Sequence, residues 1–158
     1  MPSKNKLSLT VQYADAEASL AGIVTRPLLR RWVQAALMAP AELTLRFVDA
    51  EEARALNRDY RGRDYATNVL TFAYAQEDGA AADTTPTRAD IVFCSAVLIE
   101  EARAQQKPLA AHAAHLVVHG VLHAQGYDHE DDLDATEMEA LETTILAALG
   151  WPDPYLVR

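Results

Sequence analysis

The chain has 158 residues, which suits one domain that buries roughly 68–70% of the surface its unfolded form exposes. Fourteen Lys and Arg stand against 23 Asp and Glu, and the resulting charge of -9 argues against a protein that coats nucleic acid by bulk electrostatics, so any such contact must be local. The single cysteine excludes a disulfide framework. No segment has the apolar length of a signal peptide or a membrane span, and a reducing, cytoplasmic setting without membrane attachment is expected.

Taken in chain order, LSLTVQY alternates as a half-buried strand does, and ELTLRFVD repeats the pattern after a helix that Thr25 and Pro27 can open. Asp49 can cap the helix AEEARALNRDY, which runs into the loop RGRDYAT before NVLTFAY returns to strand character. The stretch AQEDGAAADTTPTR reads as an exposed loop, and ADIVFCS as the fourth strand, with Cys94 a small core residue. From Ser95 a helix is expected up to Lys107, where Pro108 interrupts it; LAAHAAHLVVHGVLHAQ follows as a second helix ending at Gly126. DATEMEALETTILAALG is the last helix, closed by Gly150 before WPDPY. Four strands with mostly helical material after the fourth predict a single α+β domain over residues 1–158, its small mixed four-stranded sheet covered by helices. Arginines crowd the first 63 residues and acids the end, which by composition alone reads as ordinary solvated helix faces.

Chemistry concentrates in HGVLHAQGYDH, residues 119–129. On a helix, His119 and His123 lie about 40° apart around the axis and about 6 Å along it, so both rings can reach one ion. Gly126 can end that helix in the left-handed conformation and turn the chain so that His129 arrives from a loop. Three nitrogen ligands with an open fourth position suit a catalytic zinc ion, whereas a closed structural site would favour cysteines. Two histidines at helical spacing alone would more often be core or surface residues; the third shifts the balance towards metal. The spacing resembles that of metzincin proteases, but Gly120 stands where those enzymes have a glutamate base. His115 and His112 lie further back on the helix, with packing or a backbone hydrogen bond as the favoured role for each. Asp128 reads equally as a carboxylate behind His129 or as a loop cap.

HGVLHAQGYDHEDD, followed by MEALETTILAALGWPDPY, closely resembles the C-terminal part of the YbeY family of bacterial endoribonucleases. LNRDYRGRDYATNVLTFAY resembles that family's arginine loop and strand, and ADIVFCSAVL its next strand and helix start, so the likeness covers most of the chain from Leu56 onward. Ala89 departs from a common glycine before Asp90, and Thr71 from a common serine. The resemblance implies one zinc ion on His119, His123 and His129, and a functionally important Arg61. It further implies cleavage of single-stranded RNA, a part in maturing the 3′ end of 16S ribosomal RNA and in ribosome quality control, and protein partners at the small ribosomal subunit. A zinc ion and a planar guanidinium together suit the charge that builds on a phosphodiester during cleavage. From the residues alone, Arg61 would be a solvated loop charge or a partner of Asp64. A non-catalytic ribosome-assembly factor with a structural zinc, and a metalloprotease, remain the alternatives.

Overall fold

The computed structural model describes residues 5–16, 19–74, 86–127 and 132–155. Four strands and five helices follow in the order β1 (Leu7–Ala14), α1 (Arg26–Ala36), β2 (Ala41–Val48), α2 (Ala50–Arg61), β3 (Val69–Ala73), β4 (Thr87–Cys94), α3 (Ser95–Ala104), α4 (Leu109–Ala124) and α5 (Asp132–Ala148). The strands form one mixed sheet in the order β1-β2-β4-β3, with β1, β2 and β4 parallel and β3 antiparallel to β4 on the edge. This is the expected α+β architecture.

Alternation along the strands sorts side chains onto two faces. Leu43, Leu45, Phe47, Ile91 and Phe93 join α1, α4 and α5 in the main core. Val48, Leu70, Val92 and Cys94 face the other way, where Ala53 and Leu56 of α2 cover them. The register sets Tyr13, Phe47 and Phe93 side by side, and their rings stack at 5.5 and 5.1 Å. Such pairs add about 0.5–1.5 kcal/mol each beyond the area they bury.

Element boundaries differ from expectation where pairing or backbone geometry overrides local sequence. Thr87 and Arg88 belong to β4 and not to the preceding loop, because β2 supplies Ala41 and Glu42 as their partners. Ala89 is buried mid-strand opposite Leu43, so the backbone there is extended and makes no turn. α3 stops at Ala104, three residues before Lys107, and Gln106 takes a positive φ of 54°. α5 begins two residues earlier than Asp134. Thr25 and Asp49 occupy the expected cap positions, but neither side chain makes a capping hydrogen bond. Most of the loop expected at residues 75–88 lies outside the described residues, as do Asp128 and His129.

Candidate functional site

α4 is apolar on nearly all sides because it runs through the middle of the molecule, yet it carries four histidines at positions 112, 115, 119 and 123. Its end follows the sequence expectation: Gly126 adopts φ 98°, and the N–H groups of Gly126 and Tyr127 bond back to the carbonyls of His123 and Leu122. The rings of His119 and His123 lie 4.9 Å apart, centroid to centroid, so one helical turn brings them together as the spacing predicts. His129 falls outside the described residues, and among the described residues no three His, Cys, Asp or Glu side chains converge as a metal-holding group.

Behind the pair stands Glu142 of α5, a carboxylate with no solvent exposure. Its Oε1 lies 2.7 Å from His119 Nδ1 and its Oε2 lies 2.9 Å from His115 Nε2, while the Tyr155 hydroxyl donates to Oε2 as well. Burial works to raise the Glu142 pKa, but these three donors outweigh it and hold the group down to about 2. Burial, and next the bond to Glu142, push the Tyr155 phenol well above its ordinary range. Because the ionised carboxylate accepts, Nδ1 of His119 carries the proton and the lone pair sits on Nε2. A histidine that binds a metal through one nitrogen commonly gives the other N–H to a carboxylate, so the described part of the donor set fits such an ion.

Of packing or a backbone hydrogen bond, the roles expected for His112 and His115, both rings are packed into the fold, but their Nε2 atoms bond carboxylates and not backbone groups. His112 Nε2 lies 2.9 Å from Glu101 Oε1, and Glu101 also accepts from Asn68 at 3.2 and 3.3 Å. Burial leaves the His112 pKa below its ordinary value despite Glu101, so its neutral form is favoured. Glu101 thereby ties the start of β3 to α4. Glu142, Glu101 and Tyr155 were not singled out from sequence. A signal existed for Glu142, which falls on the apolar stripe of Met138, Ile145 and Leu146, where a carboxylate has no reason to be buried unless it is paired.

Gly120 has a packing reason. A β-carbon there would lie 2.9 Å from Ile91 Cγ2 and 3.6 Å from Val69 Cγ2, so position 120 faces the sheet and α4 approaches it too closely for a side chain. The same contact seats Val69, the first residue of β3 and the end of the arginine loop, against α4 at Gly120.

Arg61 is the last residue of α2, exposed and without a hydrogen bond or ion pair among the described residues. Asp64, its alternative partner, is held instead by Arg54 in a two-pronged pair of 2.6 and 2.9 Å. Gly62 ends α2 at φ 71°, and buried Asn57 donates from Nδ2 to the carbonyl of Tyr65 at 2.9 Å. The loop is therefore pinned from inside while Arg61 projects from it. No helix of the described residues is long and apolar enough to cross a membrane.

These features define a small α+β protein with a histidine and carboxylate centre on its central helix, flanked by a pinned arginine loop. Residues 9–150 match the family model described as endoribonuclease YbeY, and the chain belongs to that family. Proteins named endoribonuclease YbeY from Herminiimonas arsenicoxydans and Janthinobacterium sp. (strain Marseille) are 64% and 62% identical to it, over 97% and 99% of both chains. A relative of the same name from Cupriavidus pinatubonensis is 59% identical over 94% of this chain and 72% of its own. The solution structure of a Thermotoga maritima protein shares the fold, with a TM-score of 0.57 at 24% identity over 87% of this chain and 86% of that one.

Proposed function

We propose that the protein is a zinc-dependent endoribonuclease that cuts single-stranded RNA, with His119, His123 and His129 holding one zinc ion. Its family and its relatives' names support the reaction class. The observation that carries the site is the His119–His123 pair backed by buried Glu142. When bound, zinc would supply Lewis-acid stabilisation of negative charge on a phosphate. The chain's own residues do the rest. Glu142 fixes the tautomer of His119, and Arg61 offers a planar pair of N–H donors to the non-bridging phosphate oxygens as charge builds on them.

Gly120 offers no base and faces the sheet, which removes the feature a metalloprotease would need at that position. The nucleophile is then water or the ribose 2′-hydroxyl, with Asp128 a candidate proton acceptor; a 2′,3′-cyclic phosphate product would identify the 2′-hydroxyl. The biological substrate proposed is the 3′ end of 16S ribosomal RNA, within ribosome maturation and quality control in the cytoplasm, with the small subunit and its proteins as partners.

The test uses purified protein and a labelled RNA bearing the single-stranded 3′ tail of small-subunit ribosomal RNA. It is run with and without chelator, beside folded His123→Ala and Arg61→Ala variants. Cleavage lost with chelator and in both variants is the expected result. A wild type that holds metal and binds the RNA yet cuts no more than the variants, even with ribosomal particles added, overturns the enzyme reading in favour of an assembly factor.

A further inference from the structure

The arginine loop holds more than Arg61. Tyr60 and Tyr65 are 69% and 51% exposed, among the largest apolar surfaces the described residues show to solvent. Arg61 and Arg63 are exposed beside them. Neither phenol hydroxyl and neither of these guanidinium groups has a hydrogen bond or ion pair among the described residues. Polar neighbours of theirs are committed elsewhere: Arg54 to Asp64, Arg58 to Asp59, and Asn57 to the Tyr65 carbonyl. Tyr60 is further fixed by edge-on contact with Phe72 at 5.1 Å. The loop backbone closes on itself, with Gly62 N–H bonded to the Arg58 carbonyl and Arg63 N–H to that of Asn57. The result is a pinned loop that carries two exposed aromatic rings and two unpaired cations within six residues, on a chain whose net charge is -9.

From this arrangement we propose that Tyr60 and Tyr65 are stacking platforms for unpaired RNA bases, with Arg63 and Arg61 gripping the intervening phosphates. Successive bases of a single strand present flat faces that aromatic side chains accept without regard to sequence, and cations alternating with the rings track the backbone. A duplex hides those faces in its own stack, so the platform selects single strands. A rigid loop lowers the ordering cost of binding. Its far end, Val69, packs against α4 at Gly120, on the helix that carries His119 and His123. The proposal rests on the RNA reading above and adds residues to it.

Binding in the presence of chelator, where cleavage does not intrude, separates the two. Fluorescence anisotropy would follow a labelled 12-nucleotide single strand, the same strand with abasic spacers, and a duplex. Tyr65→Ala should weaken single-strand binding roughly five-fold or more, Tyr65→Phe should bind within about two-fold of wild type, and the difference should vanish on the abasic strand. Arg63→Ala should weaken all strands alike and flatten the salt dependence. Tyr60→Ala and Tyr60→Phe repeat the comparison, but Tyr65 is decisive because its ring makes no aromatic contact that the fold needs. Tyr65→Ala binding as wild type does, or losing as much on the abasic strand, overturns the platform even if the protein cleaves RNA. Ring-dependent binding without cleavage keeps the platform and overturns only the enzyme reading.

Discussion

His119 Nδ1 and Glu142 Oε1 lie 2.7 Å apart, joining two helices through a carboxylate that water does not reach. The contact settles which nitrogen of His119 bears the proton, and with it which nitrogen can donate to an ion. Glu142→Gln keeps the volume but replaces one acceptor with an N–H₂ donor. Zinc affinity should fall about 10- to 100-fold by chelator competition, with the far-UV circular dichroism spectrum unchanged. Glu142→Ala, which leaves His115, His119 and Tyr155 facing a void, should lose about 3–5 kcal/mol in urea unfolding. An affinity in Glu142→Gln equal to wild type would mean that the carboxylate serves packing alone.

Gly120 separates the two histidines for a reason set by the sheet. Gly120→Ala forces a β-carbon to within 2.9 Å of Ile91, itself fully buried, and should cost about 1–3 kcal/mol by thermal or urea unfolding. Shortening Ile91 to Val in the same chain should recover little of that loss, because it removes Cδ1 at 3.6 Å and keeps Cγ2, the atom at 2.9 Å. Gly120→Glu should unfold the protein rather than confer proteolysis, since the carboxylate would enter the core without a partner.

Strand alternation and the Gly126 stop were readable in the sequence because both are local: period-two patterning and a left-handed turn need no distant partner. Glu142 was not singled out, since it is one acid among many in HEDDLDATEMEALE and its one local mark is its place on the apolar stripe of Met138, Ile145 and Leu146; its partners come from the packing of α5 on α4. Gly120 was visible as an absence, a glutamate that was not there. Its cause, Ile91 and Val69, comes from strands far away in the chain. The early stop of α3 also has a nonlocal side, since Lys107 donates to the Pro154 carbonyl at 2.9 Å and so belongs to the C-terminal segment rather than to a helix.

Acid sensitivity should trace partly to His112. Its folded pKa is lowered by burial, so as pH falls below about 6.5 the unfolded chain takes up a proton that the folded one resists. The stabilisation is therefore complete above that pH and declines as pH falls towards the lower folded value, by at most about 1.4 kcal/mol per pH unit for one group. His112→Gln, which can still donate to Glu101, should show a smaller fall in Tm between pH 7.5 and 5.5 than wild type. Parallel Tm curves would remove His112 from the acid response.

Asn57 holds the arginine loop from below, and its role can be separated from that of the groups the loop displays. The residue is 1% exposed, its side chain bonds the Tyr65 carbonyl, and its own carbonyl accepts from Arg63. Asn57→Ala removes the first bond and leaves the partly buried Tyr65 carbonyl without that donor, at about 0.5–1.5 kcal/mol. Asn57→Asp keeps the size but replaces the donating amide with an acceptor that repels the same carbonyl. Both should raise amide exchange across residues 62–66 while exchange in β2 and β4 stays at wild-type rates. RNA cleavage should fall with Arg61 still present, because a guanidinium on a loose loop must be ordered anew at each encounter. If exchange rises but cleavage does not change, the loop's rigidity is incidental to the reaction and Arg61 works without being held.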